Sequence, residues 1–158
     1  MIKKIFLGLF SKFIATDVVA SEKWKVGTFE DNGKPIIIRS LSKVPDGIST
    51  SDYPNMMAVS WKFESINGMP SPAEKELMNE FEESVTELVE SEEKAYLTLI
   101  VTGNEVCEWQ FYTKNKVEFM TLLNQALSGK KSLPIQLSVE TDPDWSAFKQ
   151  YQASDDST

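Results

Sequence analysis

Hydrophobic and polar residues alternate from Met57 to Glu64, with Met57, Val59, Trp61 and Phe63 set against Ala58, Ser60, Lys62 and Glu64. Period two of this kind predicts a strand with one buried face. Asn67-Gly68-Met69-Pro70 breaks the pattern, and Ser71-Pro72-Ala73-Glu74 follows as a capping box with proline at the first helical position. The helix that starts there carries Leu77, Phe81, Val85 and Leu88 as its core stripe, with Glu76, Glu80, Glu83, Glu87 and Glu90 facing away, and ends near Ser91. Lys94 to Thr102 and Val106 to Thr113 read as two strands around Gly103-Asn104-Glu105. A three-residue turn pairs Val101 with Cys107, Leu99 with Trp109 and Leu97 with Phe111, which separates apolar from polar side chains better than a two-residue turn does. Asn115, with Glu118 three residues on, opens a second helix bearing Val117, Met120, Leu123 and Leu127, and Gly129 closes it. Pro134 to Glu140 is the last strand. Asp142-Pro143-Asp144-Trp145 then enters a short helix with Trp145, Phe148 and Tyr151 on one side.

Upstream, Lys23 to Thr28 and Pro35 to Leu41 flank Asp31-Asn32-Gly33-Lys34, and Asn-Gly between β-prone segments predicts a hairpin. Ser42 to Pro54 is a polar connection, long enough to serve as a binding loop. The resulting order is a hairpin followed by βαββαβ, so the expected fold class is α+β, a ferredoxin-like antiparallel sheet with two helices on one face. Residues 1–22 are expected to form a preceding amphipathic helix, because Ile2, Ile5, Phe6, Leu9, Phe10, Phe13 and Ile14 fall at helical spacing. A secretory leader ending at Val18-Val19-Ala20 is the alternative reading of that segment, and Lys12 and Asp17 argue against it. Residues 23–151 are expected to form a single α+β domain, and residues 152–158 a disordered tail.

Composition narrows the chemistry. Sixteen Lys plus Arg against 24 Asp plus Glu give a net charge of -8, which repels a phosphate backbone, so nucleic acid is not an expected partner. No histidine is present, which removes the usual general base and the commonest transition-metal ligand. The one cysteine, Cys107, lies in an alternating strand and is expected to be buried and inert. Asp142 with Asp144 is the carboxylate pair beside a tryptophan, but helix capping accounts for Asp142. The loop around Asp46 and the tail Asp155-Asp156 lack calcium-loop spacing, so no metal and no cofactor are expected.

Trp24, Asn32-Gly33-Lys34-Pro35, Asn67-Gly68-Met69-Pro70, Trp109-Gln110-Phe111-Tyr112-Thr113 and Asp142-Pro143-Asp144-Trp145 together give the chain, from about Lys23 to Tyr151, its punctuation. In these motifs it resembles the bacterial family catalogued as domain of unknown function 695. The resemblance carries no activity; some relatives are joined to a domain like a ribonuclease E inhibitor, which implies regulatory protein binding. The motif residues Asn67, Gly68, Met69, Pro70, Asp142, Pro143 and Trp145 read as structural.

The expected function is a non-enzymatic protein-binding or regulatory module acting on an unidentified protein partner. Its binding residues would lie on the sheet face away from the helices, at Lys62, Tyr96, Thr98, Glu108, Gln110 and Tyr112, unless the N-terminal helix or the C-terminal aromatics cover them. The alternatives are a carboxylate-dependent hydrolase using Asp142 and Asp144, with Glu108 as a third carboxylate, and peripheral membrane contact through residues 2–14. A cytoplasmic location is expected, with export the alternative if residues 1–20 are a leader.

Overall fold

A computed structural model describes residues 17–20 and 23–153. Seven strands form one antiparallel sheet: β1 (Asp17–Ala20), β2 (Trp24–Asp31), β3 (Lys34–Leu41), β4 (Asn55–Lys62), β5 (Ala95–Gly103), β6 (Val106–Thr113) and β7 (Ile135–Thr141). Their order across the sheet is β1-β2-β3-β5-β6-β4-β7. Among the described residues three α-helices complete the fold: α1 (Pro72–Glu90), α2 (Lys116–Leu127) and α3 (Ser146–Ala153).

This corrects the ferredoxin-like expectation of two helices on one face and a separate hairpin. The β2–β3 hairpin turns at Asn32-Gly33, both with positive φ, and joins the same sheet because β3 pairs with β5 from Ile37↔Thr102 to Ser40↔Leu99. The additional helix, α3, lies on the face that was expected to be open. The predicted 1–22 helix is also corrected where the chain is described, because Asp17–Ala20 is a strand paired with β2; residues 1–16 and 21–22 lie outside the described residues. At the other end Gln152 and Ala153 belong to α3, and residues 154–158 lie outside the described residues.

Of the three predicted helix starts, those at Ser71 and Asn115 are present as expected, and α3 begins at Ser146, three residues after Pro143. Ser71 accepts from the Glu74 N–H while the Glu74 side chain reaches back, and Asn115 accepts from the Glu118 N–H. Their buried stripes differ from the sequence reading. α1 buries Met78, Phe81, Val85 and Val89 and leaves Leu77 half-exposed; α2 buries Phe119, Leu123 and Ala126 and leaves Val117 outside.

The β5–β6 turn is a further correction. It has two residues, Asn104 and Glu105, both with positive φ, and it pairs Ile100 with Trp109 and Leu99 with Gln110. A bulge at Thr98, whose hydroxyl donates to the Gln110 carbonyl, then restores the expected Leu97↔Phe111 pair. The extra residue reverses the faces of β5. Ala95, Leu97 and Ile100 pack under α1 and α2 with Met57, Val59, Trp61, Trp109 and Phe111, whereas Leu99 and Val101 face the α3 side with Ile36, Ile38 and Val106.

Candidate functional site

Most of the residues expected on an open face lie inside. Thr98, Glu108, Gln110 and Tyr112 are buried, Tyr96 is half-buried, and Lys62 is exposed. The cover is α3 and the turn before it. Trp145 stacks on Tyr112 at 4.4 Å with rings 17° apart, Phe148 packs edge-on to Trp145, and Gln152 Nε2 donates to Ser40 Oγ and the Leu41 carbonyl. Beneath α3 the Glu108 carboxylate accepts from Gln110 Nε2 at 2.7 Å. Cys107 is buried on the opposite face, and desolvation pushes its thiol up to about 11, where it is a poor nucleophile at neutral pH.

The motif residues hold turns together. Asn67 Oδ1 accepts from Ser65 Oγ and the Met69 N–H, and the Gly68 carbonyl accepts from the Glu105 N–H, locking the turn before α1 onto the β5–β6 turn. Gly68 has φ +83°, and a Cβ there would meet the Asn104 backbone nitrogen at 3.1 Å. Gly68→Ala is therefore expected to lower stability by roughly 1 kcal/mol or more, read from the urea midpoint. An unchanged midpoint would show that this turn contributes nothing.

Asp142 accepts from three donors: Tyr112 Oη at 2.7 Å, the Ser146 N–H at 2.9 Å and the Ala147 N–H at 3.0 Å. Burial pushes its carboxyl up, but the Tyr112 hydroxyl and the two backbone N–H groups outweigh it and hold the group below its ordinary value. Stability from a carboxylate depressed in this way is present above its unfolded pKa, near about 4, and is lost as pH falls through the folded value. Asp142→Asn is expected to be less stable than wild type at pH 7 by about 1 kcal/mol, allowing for the solvent that screens a half-exposed group. The gap should narrow below about pH 4. A gap independent of pH, measured by thermal unfolding, would remove the charge from this account.

An accessible concavity lies at one end of the sheet, where the loop from Ser42 to Pro54 meets the C-terminal end of α1. Tyr53 anchors the loop: it is buried, its hydroxyl donates to the Glu93 carbonyl at 2.7 Å, and its ring packs edge-on to Tyr96 with Lys114 Nζ 5.2 Å from its centroid. A cavity of about 390 Å³ opens beside it, floored by Leu41, Leu97 and Tyr96 and rimmed by Lys23, Lys43, Pro45 and Asp46. Glu90 lines the same cavity and accepts from the Leu97 N–H at 3.1 Å. Burial raises its pKa, against the opposing pull of that N–H and of Lys23. Burial also pushes the Tyr96 phenol up to about 12, with Tyr53 adding to the effect, so it is a neutral donor at ordinary pH.

A second cavity of about 280 Å³ shares Lys23, Glu90 and Leu97 with the first and runs along α1 past Glu87 and Glu83 to Arg39 and Glu82. There both guanidinium end nitrogens of Arg39 bond the Glu82 carboxylate, which also accepts from Trp109 Nε1 at 2.9 Å. Sequence reading missed both carboxylates: Glu90 fell in the solvated strip and Glu82 was not singled out. The signal for Glu82 is Arg39, the chain's one arginine, set in the apolar run Pro35-Ile36-Ile37-Ile38, where a cation calls for a carboxylate from another element. Among the described residues no group of three or more Cys, Asp or Glu side chains is placed to hold a metal ion, and no helix is long and apolar enough to cross a membrane.

The fold and cleft define an α+β domain whose far sheet face is sealed by a C-terminal helix and whose concave opening lies at the edge of that seal. The model of the family described as "Family of unknown function (DUF695)" matches residues 22–152, and the chain belongs to that family. No curated protein and no solved structure matches the chain.

Proposed function

We propose that this chain is a non-catalytic protein-binding module that takes a segment of its partner into the cleft between the Ser42–Pro54 loop and the end of α1. The observation that carries this reading is the pair of adjoining cavities sharing Lys23, Glu90 and Leu97, an apolar floor inside a polar rim. The sheet face is a poorer candidate, because Thr98, Glu108, Gln110 and Tyr112 lie inside. The net charge of -8 favours a basic partner over an acidic one. Asp142 supports the fold rather than hydrolysis in this reading, with both its oxygens engaged by Tyr112 and the start of α3.

The test is site-specific photo-crosslinking in the native cell. A benzophenone side chain at Lys43, on the rim, is expected to give a discrete protein adduct, while one at Val117, exposed on α2, gives none. No adduct from Lys43, or the same adduct from both positions, would overturn the proposal.

A further inference from the structure

Resting on the protein-binding reading, we infer that the cleft receives a lysine side chain of the partner, its alkyl stem along Leu41, Leu97 and the Tyr96 ring and its ammonium on Glu90. Four features converge on that chemistry. Glu90 is the last residue of α1, and the last turn of this helix holds no basic residue, so the carboxylate adds to the negative end of the helix dipole and both favour a cation. Lys23 lines the same cleft and pulls on Glu90 without an ion pair between them, whereas the other cations there are committed, Lys43 to Asp46 at 3.0 Å and Arg39 to Glu82. The floor is apolar, and a half-buried aromatic ring suits a methylene stem carrying a terminal charge. One Glu90 oxygen is already engaged by the Leu97 N–H. The other oxygen can take an ammonium, a point charge that needs only one acceptor.

The experiment uses the whole chain labelled with nitrogen-15 and follows the backbone amides of Tyr96, Leu97 and Gly47. It is titrated with end-blocked peptides whose central residue is lysine, ε-acetyl-lysine or arginine, and with cadaverine. The lysine peptide is expected to shift the Leu97 amide saturably. Acetylation, which keeps the stem and removes the charge, should weaken binding at least about tenfold, as loss of a charge-assisted hydrogen bond requires. Glu90→Gln should weaken the lysine peptide by a similar factor, and Val117→Ala should leave it unchanged. The assignment is overturned if the acetylated peptide binds as well as the parent, if the arginine peptide binds more tightly, or if Leu97 does not shift. Cadaverine binding as tightly as the peptide would overturn a partner side chain in favour of a free amine. The acetyl-lysine comparison uses the wild-type chain, so it stands whatever Glu90→Gln does to folding. A Lys43 adduct without lysine discrimination would sink this inference alone, whereas absence of the adduct would sink the protein-binding reading itself.

Discussion

Trp145→Ala is expected to lower stability by about 3–5 kcal/mol, the range for deleting a large buried aromatic side chain. The indole is fully buried, stacks on Tyr112, meets Tyr53 and Phe148 edge-on and donates from Nε1 to the Tyr53 carbonyl at 3.0 Å. It joins three parts of the chain that sequence separates: the end of β6, the anchor of the Ser42–Pro54 loop and the entry to α3. Its backbone sits at φ +56°, a conformation that favours glycine, and the ring contacts hold it there. Trp145→Gly should therefore recover up to about 1 kcal/mol relative to Trp145→Ala, although both lack the ring. Urea unfolding followed by far-ultraviolet circular dichroism checks both, since fluorescence would lose a reporter. A loss for Trp145→Ala below about 1 kcal/mol would mean that α3 is not part of the cooperative core.

Glu82→Ala carries the second large effect, about 2–4 kcal/mol, because it strands two donors at once. Arg39, on β3, would keep its charge in a partly buried site, and the Trp109 indole N–H would lose its acceptor on α1. Glu82→Gln keeps an acceptor for Trp109 and removes only the charge, so it should lose roughly half as much. Replacing both Arg39 and Glu82 by leucine should be less harmful than Glu82→Ala, since no uncompensated charge remains. The denaturant midpoints and the Trp109 indole proton shift distinguish these cases. Equal losses for Glu82→Ala and Glu82→Gln would assign the whole effect to the charge.

Local signals carried the reading as far as they reached. Asn32-Gly33, the Ser71-Pro72-Ala73-Glu74 box and the Asn115 cap each act within a few residues, and the structure has a turn or a helix start at each one. The β5–β6 register was mistaken for a physical reason. Alternation read over whole strands assumes that both strands are regular, but the Thr98 bulge inserts one residue and reverses the faces of Leu99, Ile100 and Val101. The choice between exposed and buried went wrong at Thr98, Glu108, Gln110 and Tyr112 for a related reason. A polar residue on a strand marks a face that differs from the core, and nothing within the strand says that a helix beginning at Ser146 will return to cover it.

By itself, then, the sequence determined the elements from Trp24 onward, two of the three helix caps, the Asn-Gly hairpin, the membership of a family without assigned activity, and an acidic charge that disfavours phosphate partners. Capping, turn chemistry and net charge depend on residues a few positions apart or on simple counts. Only the tertiary structure decided that the hairpin extends the main sheet, that α3 seals its far face, and that Glu82 and Glu90 leave a row of similar glutamates to clamp Arg39 and to line a cavity. Those outcomes depend on which distant surfaces desolvate one another. That is a property of pairs such as Arg39 with Glu82, Tyr112 with Trp145 and Glu90 with Leu97, not of any one stretch of chain.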